Sequence, residues 1–371
     1  MVEHEHGETA VLVGKCAGAV KENTHHTAWQ KLLQRLRWPV EKIWNNGYLS
    51  GIAMAFFFAL TVIFGKELEE KKVPSLQILG MRAVVTIPVL AILPRFCPVG
   101  SILGRREMWR LLALQGFLYG FTVIAEWSSF AMIHLADTEA ILRLSAVLGG
   151  ILGWTLKGDP LGFAMISGMG VCIMGTLFIS QPPMVFGSPD AAPLNHAQVA
   201  GLLLAFAAAV FWAVQAAVVG LIDKSEGSLA CVCWINVGIL VSTVTIDVGA
   251  SSFTDWPGPL VLDFTPSEWG SFLGVVCCVL LGELYAIRTY QQLSTGLALA
   301  LLNLSLILIT AGDYLLLGEN LSTYEMGGIV MVLMGIGIMC QEDQPTKPSA
   351  SASAEEIPMK LVPRAHASSK S

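Results

Sequence analysis

Residues 158–175 read GDPLGFAMISGMGVCIMG, and residues 318–335 read GENLSTYEMGGIVMVLMG. At an offset of 160, Gly158, Asp159, Leu161, Gly168, Met174 and Gly175 return as Gly318, Glu319, Leu321, Gly328, Met334 and Gly335. A second match lies earlier in each half, where Ala55, Phe57, Phe58 and Ala59 answer to Ala209, Phe211, Trp212 and Ala213 at an offset of 154. One such coincidence means little in an apolar, glycine-rich chain. Two in the same order, at nearly the same offset, indicate an internal duplication.

The chain around these stretches is too apolar for water. Of 371 residues, 54% are hydrophobic and 13% charged, and the mean hydropathy is +0.63. Soluble domains carry about 25% charged residues. Runs of roughly 20 apolar residues, the length of a membrane-crossing helix, follow one another. Ten are expected, at 47–66, 75–93, 109–132, 137–156, 161–180, 200–221, 229–247, 269–290, 296–317 and 323–340. A soluble α/β protein is excluded, because its short apolar runs would alternate with polar helix faces. The net charge of −6 resides in loops and tails and gives no basic footprint for nucleic acid. Cys172, Cys231, Cys233, Cys277 and Cys278 lie in apolar runs without zinc-site spacing. They are expected as small buried hydrophobes, and neither a metal nor another cofactor is expected.

Five regions follow. Residues 1–46 are a cytoplasmic segment whose polar start holds His4, His6, His25 and His26 and lacks a signal-peptide core. An interfacial amphipathic helix is expected within it at 28–37, where Trp29, Leu32, Leu33 and Leu36 share a face. Residues 47–180 and 200–341 are two five-helix units, 181–199 an external proline-rich linker, and 342–371 a polar, disordered cytoplasmic tail. With the amino terminus in the cytoplasm, 16 Lys and Arg flank the inner side against Lys66, Lys71 and Lys72 outside, so both termini are expected to be cytoplasmic. The pattern suits a plasma membrane and a Golgi or ER endomembrane equally. Because five is odd, the second unit enters the bilayer from the opposite side. The expected fold class is therefore all-α integral membrane, with ten transmembrane helices in two inverted five-helix repeats. Two such halves can exchange conformations and open a central cavity to either side in turn, as in a secondary transporter.

The elements Gly158-Asp159 and Gly318-Glu319 each follow one apolar run and precede a glycine-spaced one. With the five-plus-five layout they resemble the EamA repeat of the drug/metabolite transporter superfamily. Residues 119–182 are similar to the acyl-malonyl-condensing-enzyme-like branch of the solute carrier 35 family, its G subfamily. The resemblance runs over roughly 47–341 and implies a carrier; superfamily cargoes span nucleotide sugars, sugar phosphates, organic acids, amino acids and drugs. Members often have a proline mid-way along the fourth and ninth helices. Ala146 and Ser305 stand near those places here, so no role for a proline break carries over.

A charge at a helix centre costs roughly 2.5–3.5 kcal/mol on insertion scales, so each requires a partner or a cavity. On the third run Gln115, Tyr119, Thr122, Glu126 and Ser129 recur in steps of 4 and 3, one polar stripe that lipid cannot solvate. It is expected to face the bundle interior, as a cavity wall or through hydrogen bonds between helices. Arg82 and Thr86 share a face of the second run. On the fourth, Glu139 and Arg143 stand four apart and neutralise one another, and Ala146, Gly150 and Gly153 continue that face with small residues that permit close approach. Asn236 is the repeat counterpart of Arg82, and Glu283 falls near that of Glu126. Asn303, Thr310 and Asp313 line one side of the ninth run, and Arg288 is expected to snorkel from a helix end.

The candidate solute-binding set is thus Arg82, Tyr119, Thr122, Glu126, Arg143, Asn236, Glu283 and Asn303. Arg82 and Arg143 offer planar paired donors to a carboxylate or phosphate, whereas Glu126 and Glu283 suit proton binding and release. Structural Arg–Glu pairing is the alternative. Arg82 has no acidic residue within a helical turn, so its neutraliser is expected on another helix, Glu126 or Glu139, or in a bound anion. The leading function is a secondary transporter of a small polar or anionic organic metabolite by alternating access, with proton coupling as an option. Its partners are the solute, the lipid bilayer and, as a further option, a second copy of the chain. A membrane enzyme is disfavoured, since the loops supply no reactive cluster, Walker loop, zinc-protease helix or nucleophile elbow. The competing function is a non-transporting scaffold or sensor on the same fold.

Overall fold

A computed structural model describes residues 42–70, 75–96, 102–130, 132–133, 135–186, 195–222, 227–251, 264–312, 314–315 and 322–342. The amphipathic helix expected at 28–37, Asp313, the Gly318-Glu319 element and the tail after 342 lie outside the described residues. Among those described, every regular element is helical. We number them α1 (Gly47–Glu70), α2 (Ser75–Phe96), α3 (Trp109–Phe130), α4 (Leu135–Leu142), α5 (Ser145–Leu152), α6 (Phe163–Ser180), α7 (His196–Leu221), α8 (Ser228–Ser251), α9 (Pro266–Gln292), α10 (Thr295–Leu301), α11 (Leu304–Gly312) and α12 (Thr323–Glu342).

Nine of the described segments are long and apolar enough to cross a membrane, counting α4–α5 and α10–α11 as one each; α2 contributes a shorter apolar stretch, Gln77–Ile92. Several helices overrun their apolar runs. Asn195 and Thr265 cap α7 and α9 through reciprocal bonds with Gln198 and Glu268, so these helices begin three or four residues before the greasy stretch. Hydrophobicity marks where lipid begins, but a helix starts where its orphan N–H groups find an acceptor.

The fourth and ninth runs are not continuous helices. The fourth breaks at Arg143 and Leu144, between α4 and α5, and the ninth at Leu302 and Asn303, between α10 and α11. Tight i→i−3 bonds replace the α-helical ladder there: Leu144 N–H to Ile141 O, Ala146 N–H to Arg143 O, Asn303 N–H to Ala300 O and Ser305 N–H to Leu302 O. No proline causes this. At the second break the Ser305 hydroxyl gives Leu302 O a second donor, at 2.7 Å. Past α5 a single π turn, Gly153–Lys157, ends on Gly158 at φ 74, a left-handed cap that glycine adopts without steric cost.

The glycines of the repeated stretch explain the tightest helix pair. A Cβ on Gly168 would lie 2.7 Å from Gly335 O, and one on Gly335 2.6 Å from Gly168 O; Gly175 and Gly328 meet in the same reciprocal way. Helices α6 and α12 therefore cross antiparallel at backbone contact, each repeat glycine facing the counterpart of the other. Glu342 Oε2 accepts from Met165 N–H at 2.6 Å at one end of the pair, and Gln181 donates to Ser322 Oγ at 2.8 Å at the other.

Helix α1 packs along α9 and α7 along α3, while α3 also lies tightly on α8. That last contact again depends on glycine. A Cβ on Gly116 would stand 2.6 Å from the Trp234 carbonyl carbon, and one on Gly120 2.7 Å from Gly238 O. The opposite pair, α2 with α9, touches over little of its length. This difference decides where space is left in the bundle.

Candidate functional site

The space is a cavity of about 460 Å³ walled by Thr61 and Gly65 of α1, Ile78 and Arg82 of α2, Glu126 and Phe130 of α3, Glu139 of α4, Val275 and Val279 of α9, Thr310 of α11 and Glu325 of α12. It lies beside the contact of α2 with α9, which is made through side chains, Ile78 and Met81 packing with Phe272, Val275 and Val279. The other end is latched. There Asp159 Oδ2 accepts from Thr295 N–H at 2.8 Å and from its hydroxyl at 3.0 Å, capping the first turn of α10. Lys157 adds a bond to Leu293 O at 3.2 Å and an ion pair with Asp159 at 3.3 Å. Gly153 is needed beside this latch, since a Cβ there would lie 2.9 Å from Thr295 Oγ1.

Arg82, 4% exposed, pairs with Glu283, 1% exposed, and not with Glu126 or Glu139 as expected. The reason is helix placement. With α2 against α8 and α9, its guanidinium terminus meets the Glu283 carboxylate on α9. Glu283 Oε2 also accepts from Asn236 Nδ2 at 3.4 Å, and the Tyr119 side chain lies near this carboxylate. Four predicted site residues from α2, α3, α8 and α9 thus meet in one network. Of these only Arg82 borders the cavity. Its Nε and the Oδ1 of Asn236 are buried without a partner.

Glu139 and Arg143 form the expected i,i+4 pair on α4, and Arg143 Nε is buried and unpartnered at the helix break. Glu126 and Glu139 face the cavity from α3 and α4. The rest of the α3 stripe has another use. Gln115 donates to Cys231 O at 2.8 Å and accepts from Gln215, Thr122 donates to its own Leu118 O, and Ser129 joins Glu126 O and Thr138. The stripe is chiefly glue between helices, with Glu126 its one member on the cavity wall. Asn303 sits at the other break, 1% exposed, with both amide atoms unpartnered. The small face of Ala146 and Gly150 does admit close approach: a Cβ on Gly296 would be 3.0 Å from Gly150 Cα.

Near the end of α9, Arg288 Nε donates to Trp44 O at 3.2 Å and its guanidinium lies over the Trp44 ring at 5.9 Å, tying the chain before α1 to α9. One cysteine departs from expectation. Cys277 is exposed on the outside of α9, where lipid accounts for an apolar side chain as well as a core does; the other four predicted cysteines are buried. No group of three His, Cys, Asp or Glu able to hold a metal occurs among the described residues. Sequence reasoning missed the Lys157–Asp159–Thr295 latch, although the repeated Gly-Asp element marked its place.

Residues 45–181 match the model of the EamA-like transporter family. No curated protein matches the chain in sequence. Among solved structures, one described only as "Crystal structure of protein" is similar with a TM-score of 0.63 at 16% identity, over 80% of this chain and 97% of that one. At that identity the likeness concerns the fold alone. The matched family span covers α1 to α6 and ends at Gln181.

Proposed function

We propose that the chain is a secondary transporter that carries a small polar or anionic organic metabolite by alternating access. Ten spans in two inverted repeats, with both termini cytoplasmic, then place the cavity on the non-cytoplasmic side and the Asp159 latch on the cytoplasmic side. The observation that carries the reading is the unequal closeness of two equivalent contacts: α3 and α8 close at backbone distance, while α2 and α9 meet beside the cavity only through side chains, Ile78 and Met81 against Phe272 and Val275. In an inverted repeat these contacts exchange roles, and their exchange moves the opening across the membrane. The reciprocal glycine crossing of α6 and α12 supports a two-fold relation between the halves.

Within this reading Arg82, Glu126 and the Glu139–Arg143 pair face the solute, Tyr119, Asn236 and Glu283 hold Arg82 in place, and Asn303 offers an unused amide beside the second helix break. Thr122 contributes to packing. No observation among the described residues argues for a homodimer. The test is counterflow in proteoliposomes preloaded with malate, phosphoenolpyruvate, a nucleoside monophosphate or a nucleotide sugar. Labelled solute should accumulate above protein-free vesicles for at least one compound. Uptake of none, by protein that melts cooperatively, would favour the scaffold or sensor instead.

A further inference from the structure

We propose that Arg82 and Glu283 are an exchangeable ion pair: a proton on Glu283 releases Arg82 to a single oxyanion group of the solute, so that proton and anion occupy the site together. This rests on the carrier reading above and names its coupling.

The argument begins with charge balance. Both side chains are almost wholly buried, Glu283 in a segment long and apolar enough to span a membrane and Arg82 in the shorter apolar stretch of α2, where an unpaired charge is unfavourable and a neutral set is tolerated. In the empty site the guanidinium and carboxylate cancel. With a proton on Glu283 and a carboxylate or phosphate monoanion on Arg82, the sum is again zero. The two mixed states each leave one uncompensated charge: anion without proton is net negative, and proton without anion is net positive. Low dielectric therefore suppresses both, and the coupling is one proton per anionic group. No covalent step is involved; the proton moves from solvent to a Glu283 oxygen and back.

Geometry assigns the direction of exchange. Arg82 borders the cavity and Glu283 does not, so an entering anion meets the guanidinium on its open side. The Arg82 bond to Glu283 uses one terminal nitrogen, and Nε is buried without a partner, which leaves donors for a second oxyanion. Glu283 is not abandoned when Arg82 turns away. Asn236 still donates to it, and the same carboxamide carries an unpartnered oxygen that can accept from the new hydroxyl. The groups around the pair are few. Arg82 comes from α2, Tyr119 and Glu126 from α3, Asn236 from α8, and Tyr290 from α9 itself, bonded to Trp212 of α7. Helix α10 carries no charged residue. Glu126, on the cavity wall, is the rival proton carrier.

The experiment is isothermal titration of the purified full-length protein with malate, phosphoenolpyruvate and inorganic phosphate, in buffers of differing ionisation heat, from pH 5 to 9, with the proton count corrected for the protons each solute itself gains on binding. The wild type should take up one proton per bound anion, its affinity falling about tenfold per pH unit on the alkaline side. Glu283→Gln, which mimics the neutral acid, should bind without proton uptake and with a flat pH profile; Arg82→Lys should bind at least tenfold more weakly. Anion binding by the wild type without proton uptake overturns the proposal, and this count needs no variant to fold. Uptake persisting in Glu283→Gln transfers the role to Glu126 and likewise overturns it. Failure of all three anions to bind at any pH sinks the anionic carrier reading together with this one.

Discussion

Replacing Gly116 by alanine should separate α3 from α8. The added Cβ would stand 2.6 Å from the Trp234 carbonyl carbon and closer still to its oxygen. Carbon atoms rest at about 3.5–4.0 Å, so the helices must part by roughly 1 Å at a point where both neighbours are backbone and no side chain can swing away. Overpacking of this kind costs about 1–3 kcal/mol. If α3 and α8 pair only in the conformer described here, that cost lowers its population about 5- to 150-fold relative to the alternative. Gly170 supplies the control: it lies on the outside of α6 with nothing within 4 Å of a new Cβ, so Gly170→Ala should be neutral or more stable by about 0.5–1 kcal/mol. Thermal unfolding of the purified variants in detergent reads the difference, and a maleimide-reactive cysteine at Leu293 reads the opening of the latched end. Gly116→Ala melting at or above Gly170→Ala, with no gain in labelling, would refute the close contact and the closure attributed to it.

Three further outcomes are expected. Asp159→Ala removes the acceptor for Thr295 N–H and its hydroxyl; a lost N-cap-type bond costs about 0.5–2 kcal/mol, so labelling at Leu293 should rise severalfold in inverted vesicles, and unchanged labelling would show that the latch does not hold that end. Glu126→Gln should insert normally yet slow flux or flatten its pH profile, and wild-type flux with the wild-type profile would remove Glu126 from both roles. In a cysteine-less background, a cysteine at Ser351 should resist impermeant maleimide in intact cells and one at Ser188 should react; the reverse pattern would invert the topology.

The sequence announced the apolar spans because lipid imposes a length and a hydrophobicity on each crossing, and both are local properties. It also marked the glycines at 168, 175, 328 and 335, since backbone contact between helices demands residues without side chains. The Glu139–Arg143 pair was legible for the same local reason, four residues on one helix. Other features were settled only by how helices distant in the chain lie against each other. Arg82 finds Glu283 across 201 residues, because α2 and α9 flank the cavity and no periodicity encodes that neighbourhood. The breaks at Arg143–Leu144 and Leu302–Asn303 carry no proline, so their signal was absent from the chain and their stability comes from surrounding contacts. Periodicity did place the α3 stripe inward. Which of its members meet a cavity and which bond a neighbouring helix depends on the crossing of α3 with α7 and α8, and a helix face alone does not contain that information.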